Sequence, residues 1–359
     1  MLVGEPLLRS GTSVENQDCA SSDLETIRPA RAAGAREIAI FAAKLLVTAV
    51  CFWYLSWQTD FSQVLPAVPM LDFRWVAFAI LIVMLQMPLV GIRWHNIVDA
   101  LTASNERMTQ LATIAIATIG IFFAQVFPSV AGDGMRAWLL VRLGCDWRKA
   151  VLSVIIDRGV GVGLLVALGF VILLLPAGLT ALGEYRDVIV IVYGGVLLAG
   201  VLGLSFAPRI ALLLRRWRYV RWLATLATEA RRVLFGPRAP VILAIGCLVH
   251  VLTIVVVWSL GRAQGLVLPI PDAAVLVTVM VGVTLVPISI SGWGVRELAV
   301  VSLLSRYGVA PEKALLFSVC FGVAAALGSL PGALTWLLYS SRPGGRLARS
   351  ADERRVSQI

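Results

Sequence analysis

Long apolar runs alternate with short polar and basic segments along the chain. Crossing a hydrocarbon layer of about 30 Å takes roughly 20 residues of helix. Runs of that length lie at 38–57, 75–92, 150–176, 187–207 and 239–260. Shorter or interrupted runs lie at 111–128, 272–288 and 312–340. The pattern predicts an all-α polytopic membrane protein with eight hydrophobic segments.

Composition supports this class. Hydrophobic residues make up 59% of the 359 positions and charged residues only 14%, which is more apolar surface than a water-soluble globule can bury. The net charge is +10, but the arginines cluster between apolar runs, as in cytoplasmic loops, and no base-stacking module is visible. We therefore predict no nucleic-acid partner. The five scattered cysteines and two isolated histidines predict no disulfide framework, metal site or cofactor.

The chain divides into three regions. Residues 1–36 are polar and lack an apolar period, which predicts a disordered cytosolic tail. A transmembrane domain covers 37–341, and a basic cytosolic tail covers 342–359. Inside the domain, the segment 209–238 is basic and has helical spacing of its apolar residues. It is open to two interpretations, an amphipathic helix on the cytoplasmic leaflet or a plain basic loop. The polar side carries Arg215, Arg216, Arg218 and Arg221, and the apolar side Leu213, Trp217, Val220, Ala224 and Ala227.

A count of membrane crossings identifies two stretches that cannot be simple spans. With the basic segments in the cytosol, the run at 75–92 ends inside at Arg93, and the run at 150–176 begins inside after Lys149. The stretch between them therefore returns to its own side. Trp75 and Trp94 bracket the second run in the manner of interfacial aromatic residues.

The same conflict recurs at 272–305, which indicates about six full spans and two re-entrant helical hairpins. Both stretches carry related sequences. Pro128 precedes Gly132-Asp133-Gly134-Met135-Arg136, and Pro287 precedes Gly292-Trp293-Gly294-Val295-Arg296. Further on, Lys149-Ala150 corresponds to Lys313-Ala314, and the second copy is longer by four residues.

These matches predict an internal repeat with halves at about 37–176 and 187–340. The second half is inverted relative to the first, which is a transporter design with broken helices meeting near the midplane. Helix N-termini at the hairpin tips are suited to face an anionic group. The predicted tips contain Pro128, Gly132, Gly134, Pro287, Gly292 and Gly294.

Six ionisable residues lie in or beside the broken segments: Asp133, Arg136, Asp157, Arg158, Arg296 and Glu297. Such groups at membrane depth cost a few kcal/mol and usually pair or line a pathway. One interpretation is that they lock helices together, with Asp133 or Asp157 paired to Arg296. The other is that the arginines contact a lipid phosphate and the acids neutralise them in its absence. On the second interpretation, the two groups face each other across one cavity.

The two motif pairs together resemble the lysylphosphatidylglycerol synthase transmembrane region family. The resemblance rests on Pro128 to Arg136 followed by Asp157-Arg158, and on LVPISISGWGVRE (285–297) followed by Gly308 and Ala314. It covers roughly 38–340 and places the six ionisable residues, Gly292 and Gly294 at motif positions. Trp293 stands where a smaller residue is expected. The resemblance implies flippase-like movement of phospholipids or of polyprenyl, hopanoid or glycolipid amphiphiles between leaflets.

The sequence thus predicts a lipid translocase of the bacterial inner membrane, with both termini cytosolic and membrane lipids as its partners. Hydrolase and P-loop motifs are not found, and the aminoacyl-transferase domain of the bifunctional relatives is not seen, so we predict no enzymatic activity. An alternative is a non-transporting subunit that anchors or regulates a lipid-modifying enzyme or glycosyltransferase. A transporter of small solutes is a third possibility.

Overall fold

The computed structural model describes most of the chain as helix, and no strand occurs in the described residues. These residues are 30–59, 62, 64, 66, 68–102, 108–127, 129–174, 186–209, 221–285 and 292–340. Within them we number twelve α-helices: α1 (Ala30–Gln58), α2 (Phe73–Leu101), α3 (Gln110–Val126), α4 (Ser129–Arg142), α5 (Trp147–Leu174), α6 (Arg186–Ser205), α7 (Arg221–Leu234), α8 (Ala239–Ala263), α9 (Ile270–Leu285), α10 (Val295–Ser305), α11 (Pro311–Gly328) and α12 (Leu330–Ser340).

Five helical segments in the described residues are long and apolar enough to cross a membrane. They are α2, α5, α6, α8 and the pair α11 and α12, which is continuous over Pro311–Ser340. The described apolar part of α1 is shorter, Leu45–Trp57. The prediction of an all-α polytopic membrane protein is confirmed, and each predicted hydrophobic run coincides with a helix or a helix pair.

The first helix differs from the prediction in its start. The chain forms two compact units, one ending at Leu46 and the other beginning at Val47. In the first unit α1 begins at Ala30, inside the segment 1–36 that the sequence assigned to a disordered tail. The reason is local, because four of the seven residues from Ala30 to Arg36 are alanine, the residue with the highest helix propensity.

The second helix extends past its predicted end. α2 begins after Asp72, whose side chain accepts the backbone N–H of Arg74 at 3.0 Å, and it continues to Leu101. Arg93 and Trp94 therefore lie inside the helix and are buried. Arg93 and Trp94 were predicted to flank the span at a membrane surface, but the helix does not end there, and both side chains pack against neighbouring helices.

The two predicted hairpins are present as pairs of short helices that pack on each other, α3 with α4 and α9 with α10. Their lengths are 17, 14, 16 and 11 residues. At 1.5 Å per residue these helices measure about 26, 21, 24 and 17 Å. All are shorter than a hydrocarbon layer of about 30 Å, as the legs of re-entrant hairpins are.

Contacts between α2 and α8 show that the two halves are inverted. The backbone N–H of Asp72, before α2, donates to the carbonyl of Ala263 at the end of α8 at 2.9 Å. At the other end of the pair, Arg238 lies 2.5 Å from Asp99. The two helices are therefore antiparallel. Because they hold the same position in their respective halves, the second half runs opposite to the first, as predicted.

The two halves also exchange contacts reciprocally. The last helix of the first half, α5, packs on the second hairpin, where a Cβ at Gly169 would lie 2.9 Å from Cγ2 of Thr278. The last helix of the second half, α12, packs on the first hairpin, where a Cβ at Gly332 would collide with the carbonyl of Thr118. Each hairpin thus packs on the other half as well as on its own.

The basic segment contains a helix, α7. Part of its apolar face is buried, with Val233 packed in a cluster with Ile97, Ile156 and Ile242 from α2, α5 and α8. Arg231 donates to the carbonyls of Leu204 and Ser205 at the end of α6. In the described part, therefore, the segment is an amphipathic helix that packs on the bundle. Leu213, Arg215, Arg216, Trp217, Arg218 and Val220 lie outside the described residues.

Candidate functional site

The first hairpin brings its charged residues to the start of α4. Pro128 lies outside the described residues, and α4 begins at Ser129. Gly132 and Gly134 were predicted at the hairpin tip but lie in the first two helical turns instead. A Cβ at Gly132 would collide with the carbonyl of Gly120, so this glycine lets α3 and α4 approach closely.

Asp157 lies between two arginines inside the bundle. Its Oδ1 accepts a hydrogen bond from Nε of Arg93 in α2 at 2.9 Å, and its Oδ2 accepts one from Nη2 of Arg136 in α4, also at 2.9 Å. All three side chains are buried, with exposed fractions of 2% for Asp157, 8% for Arg93 and 4% for Arg136. This buried cluster, Arg93-Asp157-Arg136, carries two positive charges and one negative charge.

The Arg136 side chain contacts an aromatic ring and a glycine in addition to the carboxylate. Its guanidinium lies 4.4 Å from the centre of the Trp94 ring, in cation–π contact. Gly120 leaves room for its aliphatic stem, because a Cβ there would collide with Cγ of Arg136. Its Nε is buried and has no hydrogen-bond partner among the described residues. The cluster therefore has one unused donor in addition to its uncompensated positive charge.

Glycines and a histidine surround Arg93. Cβ atoms built at Gly161 and Gly246 would lie 3.8 and 3.6 Å from its Nη1, so neither helix crowds the guanidinium. His250 lies with Nε2 3.0 Å from the carbonyl of Gly161. Its ring therefore fills the space between α5 and α8. The described residues contain no group of three or more His, Cys, Asp or Glu side chains that could hold a metal ion.

A second ion pair links α4 to α5 beside the buried cluster. Nε of Arg158 donates to both carboxylate oxygens of Asp133 at 3.0 Å. This pair is more accessible, with exposed fractions of 44% for Arg158 and 24% for Asp133. Asp133 also lies 3.9 Å from Nη1 of Arg136. Two adjacent ion pairs thus join the first hairpin to the following span.

The tip of the second hairpin requires glycine. Gly292 and Gly294 have φ angles of +81° and +87°, a region that residues with a Cβ rarely adopt. A Cβ at Gly294 would also lie 2.9 Å from Cβ of Cys51 in α1. These two residues precede α10, as predicted for a hairpin tip. Pro287 lies outside the described residues.

Arg296 and Glu297 form a closed network at the start of α10. Nε of Arg296 donates to Oε1 of Glu297 at 3.0 Å and to Oγ of Ser318 at 3.2 Å. Oε2 of Glu297 accepts the backbone N–H of Gly294 at 2.6 Å, which satisfies a free donor at the helix start. Arg296 is 4% exposed and Glu297 fully buried. The charges in this network balance.

The repeat shows what differs between the two hairpins. Alignment of the two copies places Trp293 at the position of Asp133, Phe321 at that of Asp157 and Gly322 at that of Arg158. The Arg296 guanidinium lies 4.7 Å from the Trp293 ring and 5.7 Å from the Phe321 ring. The arginine is retained in both copies. Its carboxylate neighbours in the first copy are aromatic rings in the second.

The six predicted site residues therefore form two separate groups. Among the described residues, no hydrogen bond or ion pair joins Asp133, Arg136, Asp157 or Arg158 to Arg296 or Glu297. The predicted pairing of Asp133 or Asp157 with Arg296 is wrong, because Arg93 and Arg136 satisfy Asp157 while Glu297 satisfies Arg296. That the two groups face each other across one cavity stays a prediction.

Sequence reasoning missed Arg93, Trp94 and Ser318. A signal for Arg93 existed, since it is the one arginine or lysine between Trp75 and Leu101, and Asp157 in an apolar run needs a cation. Trp94 and Ser318 gave no such signal, because tryptophan and serine are ordinary in apolar helices.

Together these features define a class: a helical membrane protein of two inverted halves, each with a broken hairpin that carries a buried arginine. The chain belongs to the family described as Lysylphosphatidylglycerol synthase TM region, which matches residues 41–332. The resemblance seen in the sequence is thereby confirmed. The family places the chain among membrane proteins associated with lipid handling. No curated protein matches the chain.

Proposed function

We propose that this protein is a translocase that moves an anionic phospholipid, or another anionic amphiphile, between the leaflets of the bacterial inner membrane. The observation that carries the proposal is the buried cluster, in which Arg93 and Arg136 share a single carboxylate. An uncompensated charge within a membrane bundle is costly, and an anionic ligand relieves that cost. Such clusters in transporters mark the substrate pathway.

Arginine suits a phosphate group for geometric reasons. Its planar guanidinium donates two parallel hydrogen bonds, and it stays charged when buried. Arg136 has a buried Nε without a partner among the described residues, so it retains a donor for a ligand. The N-terminus of α4 also lies on the hairpin that carries Arg136, and helix N-termini attract anions.

The more exposed pair supplies an entry point for the headgroup. Arg158 is 44% exposed and pairs with Asp133 next to the buried cluster. A headgroup that exchanges with Asp133 at Arg158 would then be adjacent to Arg136. The lipid tails remain in the hydrocarbon layer during this passage. The carboxylates neutralise the arginines when no lipid is bound.

The second hairpin has a different role in this proposal. Arg296 is neutralised by Glu297 of the same helix and covered by aromatic rings, so it has no surplus charge for a ligand. It positions the tip of the hairpin, where Glu297 caps α10. The headgroup site therefore belongs to the first half, and Arg296 and Glu297 support it as packing residues.

The orientation is part of the proposal. The basic character of the terminal tail and of the segment around α7 supports a cytosolic position for both termini and for α7, where anionic headgroups attract Arg231 and Arg232. The activity is transport, without covalent chemistry on the lipid.

The test uses purified protein reconstituted alone in liposomes, with fluorescent phosphatidylglycerol and a membrane-impermeant quencher. Wild-type protein should expose inner-leaflet lipid to the quencher, and Arg136→Gln should slow this at least tenfold. Arg142→Gln is the matched control, because Arg142 is an exposed arginine on the same helix. Thermal unfolding in detergent identifies variants that fail to fold, and Arg136→Lys then tests the charge alone.

The outcomes separate the alternatives. A wild-type protein that moves no lipid would indicate a subunit that anchors another enzyme. Equal rates for wild type and a folded Arg136→Gln variant would exclude the buried cluster as the headgroup site. Equal transport of anionic and zwitterionic lipids would show that the arginines do not select the headgroup.

A further inference from the structure

We infer that the Asp157 carboxylate is an internal substitute for the lipid phosphate, and that exchanging one for the other carries one proton across the membrane with each lipid. The inference rests on the proposed function and names its energy source. Transport of one lipid anion together with one proton is electroneutral. Such transport is driven by a pH gradient across the membrane and does not respond to the membrane potential.

The first step of the argument is the geometry of Asp157. Its two oxygens each accept one hydrogen bond of 2.9 Å from a different guanidinium. Two oxygens of a phosphate group can accept the same pair of hydrogen bonds. The carboxylate and a phosphate therefore compete for one position between Arg93 and Arg136, and only one of them can occupy it.

The second step concerns the groups around Asp157. Its ionic neighbours are Arg93 from α2 and Arg136 from α4. Asp133 and Arg158 lie beyond Arg136, and His250 of α8 lies beside Arg93. Among the described residues, α6, α7 and α9 add no ionisable group against it. Among the described residues, Arg158 is paired with Asp133 and His250 contacts the carbonyl of Gly161. Once a phosphate takes both arginines, Asp157 therefore keeps no described cation as its partner.

The third step is the protonation of the displaced carboxylate. A buried carboxylate without a partner becomes neutral by taking up a proton, because burying the isolated charge costs far more. The proton comes from the aqueous side from which the lipid enters, and it forms an O–H bond on Asp157. When the lipid leaves on the other side, Asp157 returns to the arginines and releases the proton there.

The fourth step is a charge count. In the empty site, two arginines and one ionised aspartate give a net charge of +1. With a phosphodiester monoanion bound and Asp157 protonated, the two arginines and the phosphate again give +1. The protein therefore carries the same charge in both forms. A pH difference of one unit should support a lipid gradient of about tenfold.

The test uses the same liposomes with either a pH gradient or a potassium diffusion potential across the membrane. Wild-type protein should accumulate fluorescent phosphatidylglycerol in the alkaline-side leaflet, by about tenfold per pH unit, and the potential should have no effect. Asp157→Asn cannot carry the proton, so its transport should lose the response to pH and respond to the potential instead. Asp187→Asn is the control, since Asp187 is 85% exposed on α6.

A binding measurement makes the inference independent of any variant. Calorimetric titration of wild-type protein with a short-chain phosphatidylglycerol, in buffers of different ionisation enthalpy, should show uptake of about one proton per lipid bound. Lipid binding without proton uptake, or transport that ignores a pH gradient, would overturn the inference while leaving the translocase intact. Proton uptake with inorganic phosphate but not with the lipid would overturn it as well. A protein that neither binds nor moves lipid contradicts the proposed function itself.

Discussion

The guanidinium of Arg93 donates a 2.9 Å hydrogen bond to Asp157, although 64 positions separate the two residues in the chain. Both side chains are buried, so water contributes little to the solvation of either charge. The pair ties α2 to α5 within the first half and, through Arg136, ties both helices to the first hairpin. Loss of any member leaves a buried charge with one partner fewer.

Arg93→Gln should lower the free energy of unfolding by about 2 kcal/mol, because it removes a buried hydrogen bond to a charged group, worth about 1.5–3 kcal/mol, but leaves Arg136 and Asp157 as a pair of balanced charge. Thermal and denaturant unfolding in detergent measure the loss. The double variant Arg93→Gln with Asp157→Asn should be less destabilised than the sum of the single variants. Additive losses would show that the two residues are not coupled.

Asp133→Asn should change stability by no more than about 1 kcal/mol, because partly exposed ion pairs contribute about 0–1 kcal/mol. Arg158 is nearly half exposed, so it is less enclosed by the protein than the arginines of the buried cluster and depends less on its partner. Lipid translocation, in contrast, should slow, because Arg158 then retains the headgroup without a competing carboxylate. A variant with normal stability and normal translocation would exclude this pair from the pathway.

Gly294→Ala should destabilise the protein by about 1–3 kcal/mol, the usual cost of a non-glycine residue in a strained backbone region. Its φ of +87° and its contact with Cys51 both oppose a side chain. Gly134→Ala is the matched control on the other hairpin, because Gly134 is helical and a Cβ there has no atom within 4 Å. The control should gain up to about 1 kcal/mol from the helix propensity of alanine. Equal effects of the two substitutions on the free energy of unfolding would contradict the backbone conformation described at Gly294.

Glu297→Gln should destabilise the protein without altering the coupling of transport to pH. The carboxylate accepts hydrogen bonds from Gly294, Arg296 and Ser318 inside the bundle. Its loss leaves Arg296 as a buried cation without a counter-charge, at a cost of about 3 kcal/mol or more. Unfolding in detergent and transport under a pH gradient separate this structural role from that of Asp157. A variant of normal stability that loses pH coupling would assign the proton to the second hairpin.

The orientation of the protein can be tested at α7. Arg232 is 65% exposed and lies on the helix that we place at the cytosolic surface. In a variant without other cysteines, Arg232→Cys should react with an impermeant maleimide in inside-out vesicles. It should not react in right-side-out cells. The reverse result would show that α7 faces the other side of the membrane. The orientation proposed for each span would then be reversed.

The helices and the repeat were predictable because their signals are local. The length and apolarity of each run fixed the spans, and two short motifs revealed the related hairpins near Gly132 and Gly292. The antiparallel packing of α2 and α8 confirms the inversion derived from the count of crossings. The inversion derived from the count of crossings does not depend on Arg93 being the end of the span. α2 continues past Arg93 in the same direction and ends at Leu101.

The partners of the charged residues were not predictable in the same way. Asp157 and Arg136 were recognised as unusual in an apolar chain, and both lie in the buried cluster. Their neighbour Arg93 was assigned to a surface, because an arginine at the end of an apolar window is most often a cytosolic flank. The difference between the hairpins was equally hidden, since Glu297 and Asp157 are both acids beside a motif arginine.

The sequence by itself determined the class, the helical spans and the presence of two related, inverted halves, because apolar length and short motifs are properties of neighbouring residues. The tertiary structure alone decided which charges meet. It placed Arg93 and Arg136 on either side of Asp157, and it closed Arg296 onto Glu297. Partner choice depends on which helices pack together and how deeply they bury each side chain. A charge in an apolar run shows that a partner exists, and only the packing identifies it.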